Sequence, residues 1–374
     1  EREMEDASEA QVCGRGVEGR VWKKEVVMVS RPQGMPVEAN FEVRRSELVF
    51  QVPPPPGFLL VKVLWLSVDP YLREIMNEDN GLTVIPPFQI GQPIFVGSIS
   101  KVLASSDPKF KEGNIVQTMS PVADYALISS EFFSIYKIEH THAINVPLNQ
   151  YLGVLGFPGL TAWVGLNVIT QLQANEEVFI SAAAGAVGLL AGQLAKLKGC
   201  RVVGSAGTDE KVRMLKEVYQ FDEAFNYKTE KDLNSTLKRY FPSGFDVYFE
   251  NVGGNTLEAA LENIRRKGRI IACGMISQYN KEYKERDGVR NLMHVIGKSL
   301  KMEGFMVGDY RHMRDDFIKE VGKLLQQGRI SYHMDILGRG IDEFTKAFVG
   351  LLGGKNIGKA VLLIDDGENH ETLL

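Results

Sequence analysis

The chain has 374 residues, of which 44% are hydrophobic and 24% charged, and its formal net charge is −4. This composition is that of a globular protein and excludes a disordered or fibrous one, and the length predicts two domains. The acidic balance lacks the basic footprint that nucleic-acid binding requires.

The three cysteines include no Cys-x-x-Cys pair, so neither a disulfide framework nor a zinc site is predicted. The sequence contains no run of eighteen uncharged apolar residues, so no membrane-spanning helix is predicted. The charged N-terminus does not resemble a secretory signal. We expect residues 1–20 to be a disordered extension and the protein to be cytoplasmic.

Residues 21–150 alternate short apolar runs with turns. Pro53–Gly57 is a stiff turn, because proline fixes φ and donates no hydrogen bond. Many short strands between glycine and proline turns predict a β-rich or barrel-like domain. The spacing becomes helical at 158–166. The strand candidates are 21–29, 41–48, 58–68, 95–101 and 125–129, with a turn at 111–116 leading into another.

From residue 178 onward, apolar strand-like runs alternate with segments of helical spacing. Such alternation predicts a doubly wound parallel sheet with ligands at the carboxyl ends of its strands. An amphipathic helix at 313–327 and a β-like tail ending at 360–364 follow. The strand candidates are 178–182, 201–205, 223–227, 245–250 and 269–273, and the helix candidates are 186–198, 209–219, 230–240 and 255–264.

The segment 178–188 is typical of a phosphate-binding turn between a strand and a helix. Gly185 and Gly188 let the backbone approach a pyrophosphate, and the helix N-terminus offers free N–H groups. Ala183 stands where the full pattern has its first glycine. A tight turn that binds no dinucleotide is the alternative interpretation of this segment.

The loop after the second strand favours NADP(H). An NAD site usually has an acid about twenty residues after the glycine turn, to bind the ribose 2′-hydroxyl. Here 204–207 is Gly-Ser-Ala-Gly, and Lys211 follows. No carboxylate at 204–207 repels a 2′-phosphate.

Small and polar residues also follow the later strands. Tyr227 and Lys228 end the third, Asn251 precedes two glycines after the fourth, and Cys273–Tyr279 follows the fifth. This recurrence predicts one cofactor lying across the sheet edge.

These motifs, in this order, resemble the zinc-independent medium-chain reductases, in particular the plant NADPH-dependent double-bond (2-alkenal) reductases and the animal prostaglandin reductases, or leukotriene hydroxydehydrogenases. The resemblance covers about residues 21–364. The motifs that carry it are Ala183-Ala-Gly-Ala-Val-Gly188, Gly204-Ser-Ala-Gly-Thr-Asp-Glu-Lys211, Ala224-Phe-Asn-Tyr-Lys228, Phe249-Glu-Asn-Val-Gly-Gly254, Cys273-Gly-Met-Ile-Ser-Gln-Tyr279, Asp69-Pro-Tyr71, Gly91-Gln-Pro93 and Gly353-Gly-Lys-Asn-Ile-Gly-Lys359.

The resemblance implies an α/β fold, with a Rossmann domain at 161–329 and a GroES-like, partly open barrel at 21–160 and 330–374. It also implies NADPH-dependent reduction of the carbon–carbon double bond of an α,β-unsaturated aldehyde or ketone, by a homodimer without zinc. The implied cofactor-binding residues are Gly185, Ala186, Val187, Gly188, Ser205, Lys211, Tyr227, Asn251, Cys273, Gly274, Ser277, Tyr279, Phe305, Val307 and Asn356.

Tyr279 and Tyr71 are the implied catalytic residues. Tyr279 is either the hydrogen-bond donor to the enolate or only an anchor for the cofactor ribose, and Tyr71 is a pocket wall more than an acid. Relatives carry a tyrosine after Gly-Gln-Pro where this chain has Phe95, and a tryptophan before the strand at Tyr125 where it has 117–123, which leaves the substrate open. A quinone reductase and an NADPH-binding protein without turnover are the alternative functions.

Overall fold

The computed structural model describes residues 11–13, 16–78, 81, 85–131, 134–138 and 146–365. Its strands are β1 (Gln11–Cys13), β2 (Gly16–Met28), β3 (Phe41–Val52), β4 (Phe58–Ser67), β5 (Phe95–Ser105), β6 (Ile115–Pro121), β7 (Tyr125–Ser129), β8 (Tyr136–Lys137), β9 (Glu177–Ile180), β10 (Arg201–Ala206), β11 (Glu223–Asn226), β12 (Phe245–Glu250), β13 (Ile264–Ala272), β14 (Lys301–Gly304), β15 (Met334–Arg339) and β16 (Lys359–Leu363).

Nine α-helices connect or flank these strands in the described part of the chain. They are α1 (Leu72–Ile75), α2 (Phe157–Val164), α3 (Ala186–Leu197), α4 (Asp209–Glu217), α5 (Leu233–Tyr240), α6 (Gly254–Asn263), α7 (Met293–Gly297), α8 (Arg314–Gln326) and α9 (Phe344–Leu352).

The second half of the chain forms a six-stranded parallel sheet in the order β11-β10-β9-β12-β13-β14. The direction of winding reverses between β9 and β12, as in a dinucleotide-binding fold. Because both faces are covered, the central strands are apolar throughout: an aromatic cluster around Phe179 and Tyr248 packs on one face, and α3 covers the other. The predicted doubly wound sheet is confirmed.

The seven-stranded sheet is mainly antiparallel and has the order β15-β16-β4-β5-β6-β8, with β7 paired to β4. It combines strands from both ends of the chain, since β16 pairs with β4 from Val361 opposite Ser67 to Leu363 opposite Trp65. The predicted β-rich unit is therefore present. Sequence reasoning missed β15 and α9, which lie in the segment taken as a β-like tail.

A third sheet contains only β1, β2 and β3, and it corrects one expectation. The pairing of β2 with β3 is continuous from Val17 opposite Val52 to Met28 opposite Phe41. Disorder throughout 1–20 was therefore a wrong prediction for 11–13 and 16–20, because their backbone groups pair in a ladder. Residues 1–10 and 14–15 lie outside the described residues.

Candidate functional site

The predicted phosphate-binding turn connects β9 to α3. Gly185 is the N-cap of α3 in an extended conformation, with φ −87° and ψ 174°, and no side chain caps the helix. The first-turn N–H groups, those of Ala186, Val187 and Gly188, therefore face the open end of the helix without a side-chain acceptor. Together with the positive end of the helix dipole, they form a site for an anion.

Ala183 stands where the motif has its first glycine, and the neighbouring strand β10 leaves room for its side chain. Its N–H donates to the carbonyl of Ser205 at 2.9 Å, and its side chain is fully buried. A Cβ on Gly204 would lie 2.7 Å from the Cβ of Ala183, so the room that the alanine needs comes from Gly204. Gly188 is needed for packing, because its Cβ would lie 2.7 Å from the Ala182 carbonyl oxygen.

The C-terminal segment contacts this turn directly. The Gly358 N–H donates to the Ala184 carbonyl at 2.8 Å, and Gly358 bridges Gly185 in parallel. Gly358 has φ +65°, and its Cβ would lie 2.3 Å from the His333 carbonyl oxygen, so this position requires glycine. Asn356 donates to the Gly358 carbonyl at 2.9 Å. The structure thus places Asn356 beside the phosphate-binding turn.

The loop after β10 contains the predicted 2′-phosphate corner. The Lys211 ammonium donates to the Gly354 carbonyl at 2.7 Å. Burial, and then the positive charge of Lys228, lower the pKa of Lys211. A Cβ on Gly207 would lie 3.4 Å from both the Tyr227 hydroxyl oxygen and Lys228 Cε, so these side chains border the same corner. Two cations and a phenol suit a phosphate ester.

Two further residues complete this corner. Asp209, at the start of α4, accepts a hydrogen bond from the Asn226 amide at 2.7 Å, which partly satisfies its carboxylate. Ser205 was predicted to bind the cofactor, but its side chain is only 3% exposed. Its carbonyl instead holds the glycine turn through Ala183.

Asn251 is fixed at the end of β12 through Ser181. Its side-chain amide donates to the Ser181 carbonyl at 2.8 Å, and its backbone N–H donates to Ser181 Oγ at 3.0 Å. Glu250, which sequence reasoning did not single out, lies directly beneath and is fully buried. One oxygen accepts from the N–H groups of Val252 and Gly253. Burial raises the pKa of this carboxyl.

The segment after β13 is hydrogen-bonded to the loop that contains Asn251. The N–H groups of Cys273 and Gly274 both donate to the Glu250 carbonyl, at 3.0 and 3.1 Å. Ser277 Oγ donates to the Val252 carbonyl at 2.6 Å. The predicted residues of this segment are therefore tied to the Asn251 loop. Burial, and then the charge of Glu250, raise the pKa of the Cys273 thiol to about 12, so the thiol is protonated at neutral pH.

Tyr279 turns back onto the same segment. Its hydroxyl oxygen accepts from the Met275 N–H at 3.2 Å. Burial raises the pKa of Tyr279 to about 12. The phenol is therefore protonated at physiological pH, and while its oxygen accepts this bond its hydrogen is available to donate to an acceptor such as a carbonyl oxygen.

Tyr71 comes from the other sheet, at the N-terminus of α1. It packs on the core of that unit, and burial, and then the charge of Asp69, raise its pKa. Glu74 on α1 pairs with Arg286 at 3.5 Å, and its charge also acts on Tyr279. The helix that begins beside Tyr71 therefore faces the segment that follows Tyr279.

Phe305 and Val307 follow β14. The ring of Phe305 packs edge-on against Tyr310 at 5.9 Å, and Val307 packs on the large core cluster. No group of three or more His, Cys, Asp or Glu side chains that could hold a metal ion occurs among the described residues. In the same part of the chain, no helix is long and apolar enough to cross a bilayer.

Two protein-family models match the chain. The zinc-binding dehydrogenase model matches residues 186–326, and the model for the N-terminal domain of oxidoreductases matches residues 24–135. The two matches fall on the parallel sheet and on the β-rich unit, respectively.

The curated relatives span nearly the whole chain. A 2-alkenal reductase (NADP(+)-dependent) from Nicotiana tabacum is 44% identical over 92% of this chain and 98% of its own length. A (+)-pulegone reductase from Mentha piperita is 40% identical over 92% of this chain and 99% of its own length. Prostaglandin reductase 1 from Rattus norvegicus is 37% identical over 88% of this chain and 95% of its own length.

Among solved structures, CurA from Vibrio vulnificus in complex with NADPH superposes with a TM-score of 0.83 at 34% identity, covering 92% of this chain and 99% of that one. Escherichia coli quinone oxidoreductase complexed with NADPH has a TM-score of 0.72 at 19% identity, covering 91% and 100%. The second likeness shows the fold alone.

Proposed function

This chain belongs to the medium-chain dehydrogenase/reductase family, in its branch of NADPH-dependent alkenal reductases, and from that membership we propose that it reduces the carbon–carbon double bond of α,β-unsaturated aldehydes and ketones. The observation that carries the proposal is the layout of one sheet edge. Lys211 and Lys228 lie at one end, the Gly185–Gly188 turn with its uncapped helix N-terminus lies in the middle, and Tyr279 lies at the other end. The 44% identity to an alkenal reductase supports the same reaction class.

NADPH fits this edge by the chemistry of the groups present. The Gly185–Gly188 turn holds the pyrophosphate, and Lys211 with Tyr227 holds the 2′-phosphate. When bound, NADPH supplies the hydride that the β-carbon of the substrate receives. The residues that would line the ribose and nicotinamide are Asn251, Cys273, Gly274, Ser277, Phe305, Val307 and Asn356, and the Ser205 carbonyl supports the turn through Ala183.

The chain's own catalytic contribution is positioning and hydrogen bonding. As hydride reaches the β-carbon, negative charge collects on the carbonyl oxygen of the substrate. We assign Tyr279 to donate to that oxygen, as a preorganised neutral phenol in place of a zinc ion. The α-carbon then takes a proton that comes ultimately from the solvent, which restores the carbonyl group and completes the addition of one hydride and one proton across the double bond. Tyr71 forms a wall that orients the substrate and excludes water.

A substrate panel tests this function. We expect oxidation of NADPH with enals and enones, and a preference for NADPH over NADH of at least tenfold, about 1.4 kcal/mol. Activity with quinones alone would replace the proposal by a quinone reductase. Tight NADPH binding without turnover of any of these substrates would instead identify a binding protein.

The sheet pairing supports a division of the chain into 21–160 with 330–374, and 161–329. β16 belongs to the antiparallel sheet although the parallel sheet precedes it in the sequence. Amide hydrogen exchange tests these boundaries: the amides of 21–160 with 330–374 should open as one cooperative unit and those of 161–329 as another. For the location in the cell, we propose the cytoplasm. Fractionation or a fluorescent fusion tests it.

We propose a homodimer formed beside β14, which is the last strand of the parallel sheet. Leu292, Met293 and Ile296 precede it and are 50%, 81% and 82% exposed, a concentration of apolar surface that a second copy would cover. The double change Met293→Asp with Ile296→Asp should yield monomers in light scattering after gel filtration. A dimer of unchanged mass would place the interface elsewhere.

A further inference from the structure

Lys359 is a buried cation that the reaction described above does not use. It begins β16 and is only 1% exposed, within a strand that is otherwise apolar. Its ammonium donates to the Val68 carbonyl at 2.8 Å, to Asp69 Oδ1 at 2.9 Å and to the Ala360 carbonyl at 2.8 Å. All three donors are therefore satisfied.

Stability alone does not account for a lysine at this position. Burying a charge costs free energy even when it is paired, and an apolar side chain in place of a buried ion pair is often neutral or stabilising. Burial lowers the pKa of Lys359, and the carboxylate of Asp69 opposes that shift. The acceptors that Lys359 contacts point to another role.

Those acceptors lie at the start of the substrate wall. Asp69 is held at both oxygens, by Lys359 and by the Ser67 hydroxyl. The Asp69 carbonyl accepts from the Leu72 N–H at 3.3 Å, in the turn that begins α1 and contains Tyr71. Lys359 therefore fixes the backbone and the side chain that set the direction of Tyr71.

The residue before Lys359 contacts the other half of the site. Gly358 donates to the Ala184 carbonyl in the phosphate-binding turn, and the Lys359 N–H donates to the His333 carbonyl at 3.0 Å. Gly358 and Lys359, adjacent in the chain where β16 begins, thus join the cofactor turn to the turn that contains Tyr71.

We propose that Lys359 is a positioning residue that holds Tyr71 at a fixed position relative to the phosphate-binding turn. Lys359 thereby sets the distance and angle at which the β-carbon of the substrate meets the hydride. The inference rests on the proposed function for the role of Tyr71. A displacement of about 1 Å in such an arrangement can cost on the order of a hundredfold in rate.

A double-mutant cycle tests this coupling. Lys359→Met keeps an unbranched side chain that is one atom shorter and removes its donors, and Tyr71→Ala removes the ring. We expect Lys359→Met to lower kcat/KM for an enal by about tenfold or more, with the Kd for NADPH within about twofold of wild type. The double variant should be no worse than the poorer single variant, because Lys359 acts through Tyr71. Multiplicative losses would overturn the proposal.

A second variant separates positioning from folding. Lys359→Met leaves Asp69 without its cation, which can destabilise the fold. Asp69→Asn combined with Lys359→Met removes both charges and should recover the melting temperature without recovering kcat/KM. Full recovery of kcat/KM would show a purely structural role and overturn the proposal. If wild type reduces only quinones, the proposed function fails, and the same cycle run with a quinone still decides the role of Lys359.

Discussion

Replacing Lys211 by alanine should erode the preference for NADPH without weakening NADH binding. The charge of Lys228 acts on the Lys211 ammonium, and Lys228 and Tyr227 both border Gly207 in the loop that suits a 2′-phosphate. It has three donors and uses one on the Gly354 carbonyl, so it can bind a phosphate without releasing that contact. NADH has no 2′-phosphate and gains nothing from this cation.

The size of the expected loss in NADPH preference follows from the exposure of Lys211 and from the presence of a second cation, Lys228. A hydrogen bond to a charged group contributes about 1.5–3 kcal/mol. Because Lys211 is only partly buried and Lys228 remains in the variant, the lower end applies, about 1.5 kcal/mol or roughly tenfold in the NADPH-to-NADH ratio of kcat/KM. The effect should shrink as the ionic strength rises.

The assay compares kcat/KM for the two cofactors at saturating enal. Arg213→Ala is the matched control, because it removes one positive charge from an exposed position of the same helix, α4. It should leave the cofactor ratio unchanged. An unaltered ratio in Lys211→Ala would refute the assigned role. Equal losses with both cofactors would show that Lys211 acts through Gly354 on the C-terminal segment.

Three further predictions concern the turn, the phenol and the buried acid. Gly188→Ala should destabilise the fold by about 1–3 kcal/mol in thermal or urea unfolding, because the added Cβ would lie 2.7 Å from backbone atoms. The added Cβ in Gly185→Ala comes no closer than 3.2 Å to its neighbours, so this change should mainly raise the Kd for NADPH. Tyr279→Phe should lower kcat by about a hundredfold at an unchanged Kd for NADPH. The wild-type enzyme should lose no activity through ionisation of this phenol until the pH nears its pKa of about 12. A raised Kd for NADPH with a normal kcat would show that Tyr279 only anchors the cofactor. Glu250→Gln should gain stability relative to wild type as pH rises above the ordinary glutamate pKa of 4.5, because the fold loses stability as a carboxyl whose pKa it raises becomes ionised. Parallel stability curves would contradict this.

Periodicity identified five of the six strands of the parallel sheet and missed β14, an edge strand whose two end residues are exposed. It succeeded where the strands are apolar and buried and the helices between them are amphipathic. Its errors have local causes. The helix expected at 230–240 begins at Leu233, because Asp232 caps it by accepting from the N–H groups of Asn234 and Ser235. Near the C-terminus, α9 packs Phe344 and Phe348 into the β-rich unit, a tertiary contact that the tail's composition did not reveal.

The sequence singled out residues in the loops at the strand ends, and it missed residues that hold those loops from behind. Glu250 and Lys359 were missed because each stands at one end of a largely apolar strand, with no oppositely charged residue close by in the sequence. The side chains that bond them come from distant segments: Ser181 for Glu250, and Asp69 for Lys359. A charged residue inside or at the end of an otherwise apolar strand is the signal that could have identified them.

Ala183 shows how a departure from a motif is compensated in three dimensions. The glycine pattern describes one strand and one turn, yet the room at its first position belongs jointly to that turn and to the neighbouring strand. Here the neighbouring strand contributes Gly204, and a Cβ there would meet both Ala183 and the ring of Phe221. The backbone of the turn still reaches the Ser205 carbonyl. In this chain, the space that a glycine would leave at position 183 is therefore provided by Gly204 on the neighbouring strand.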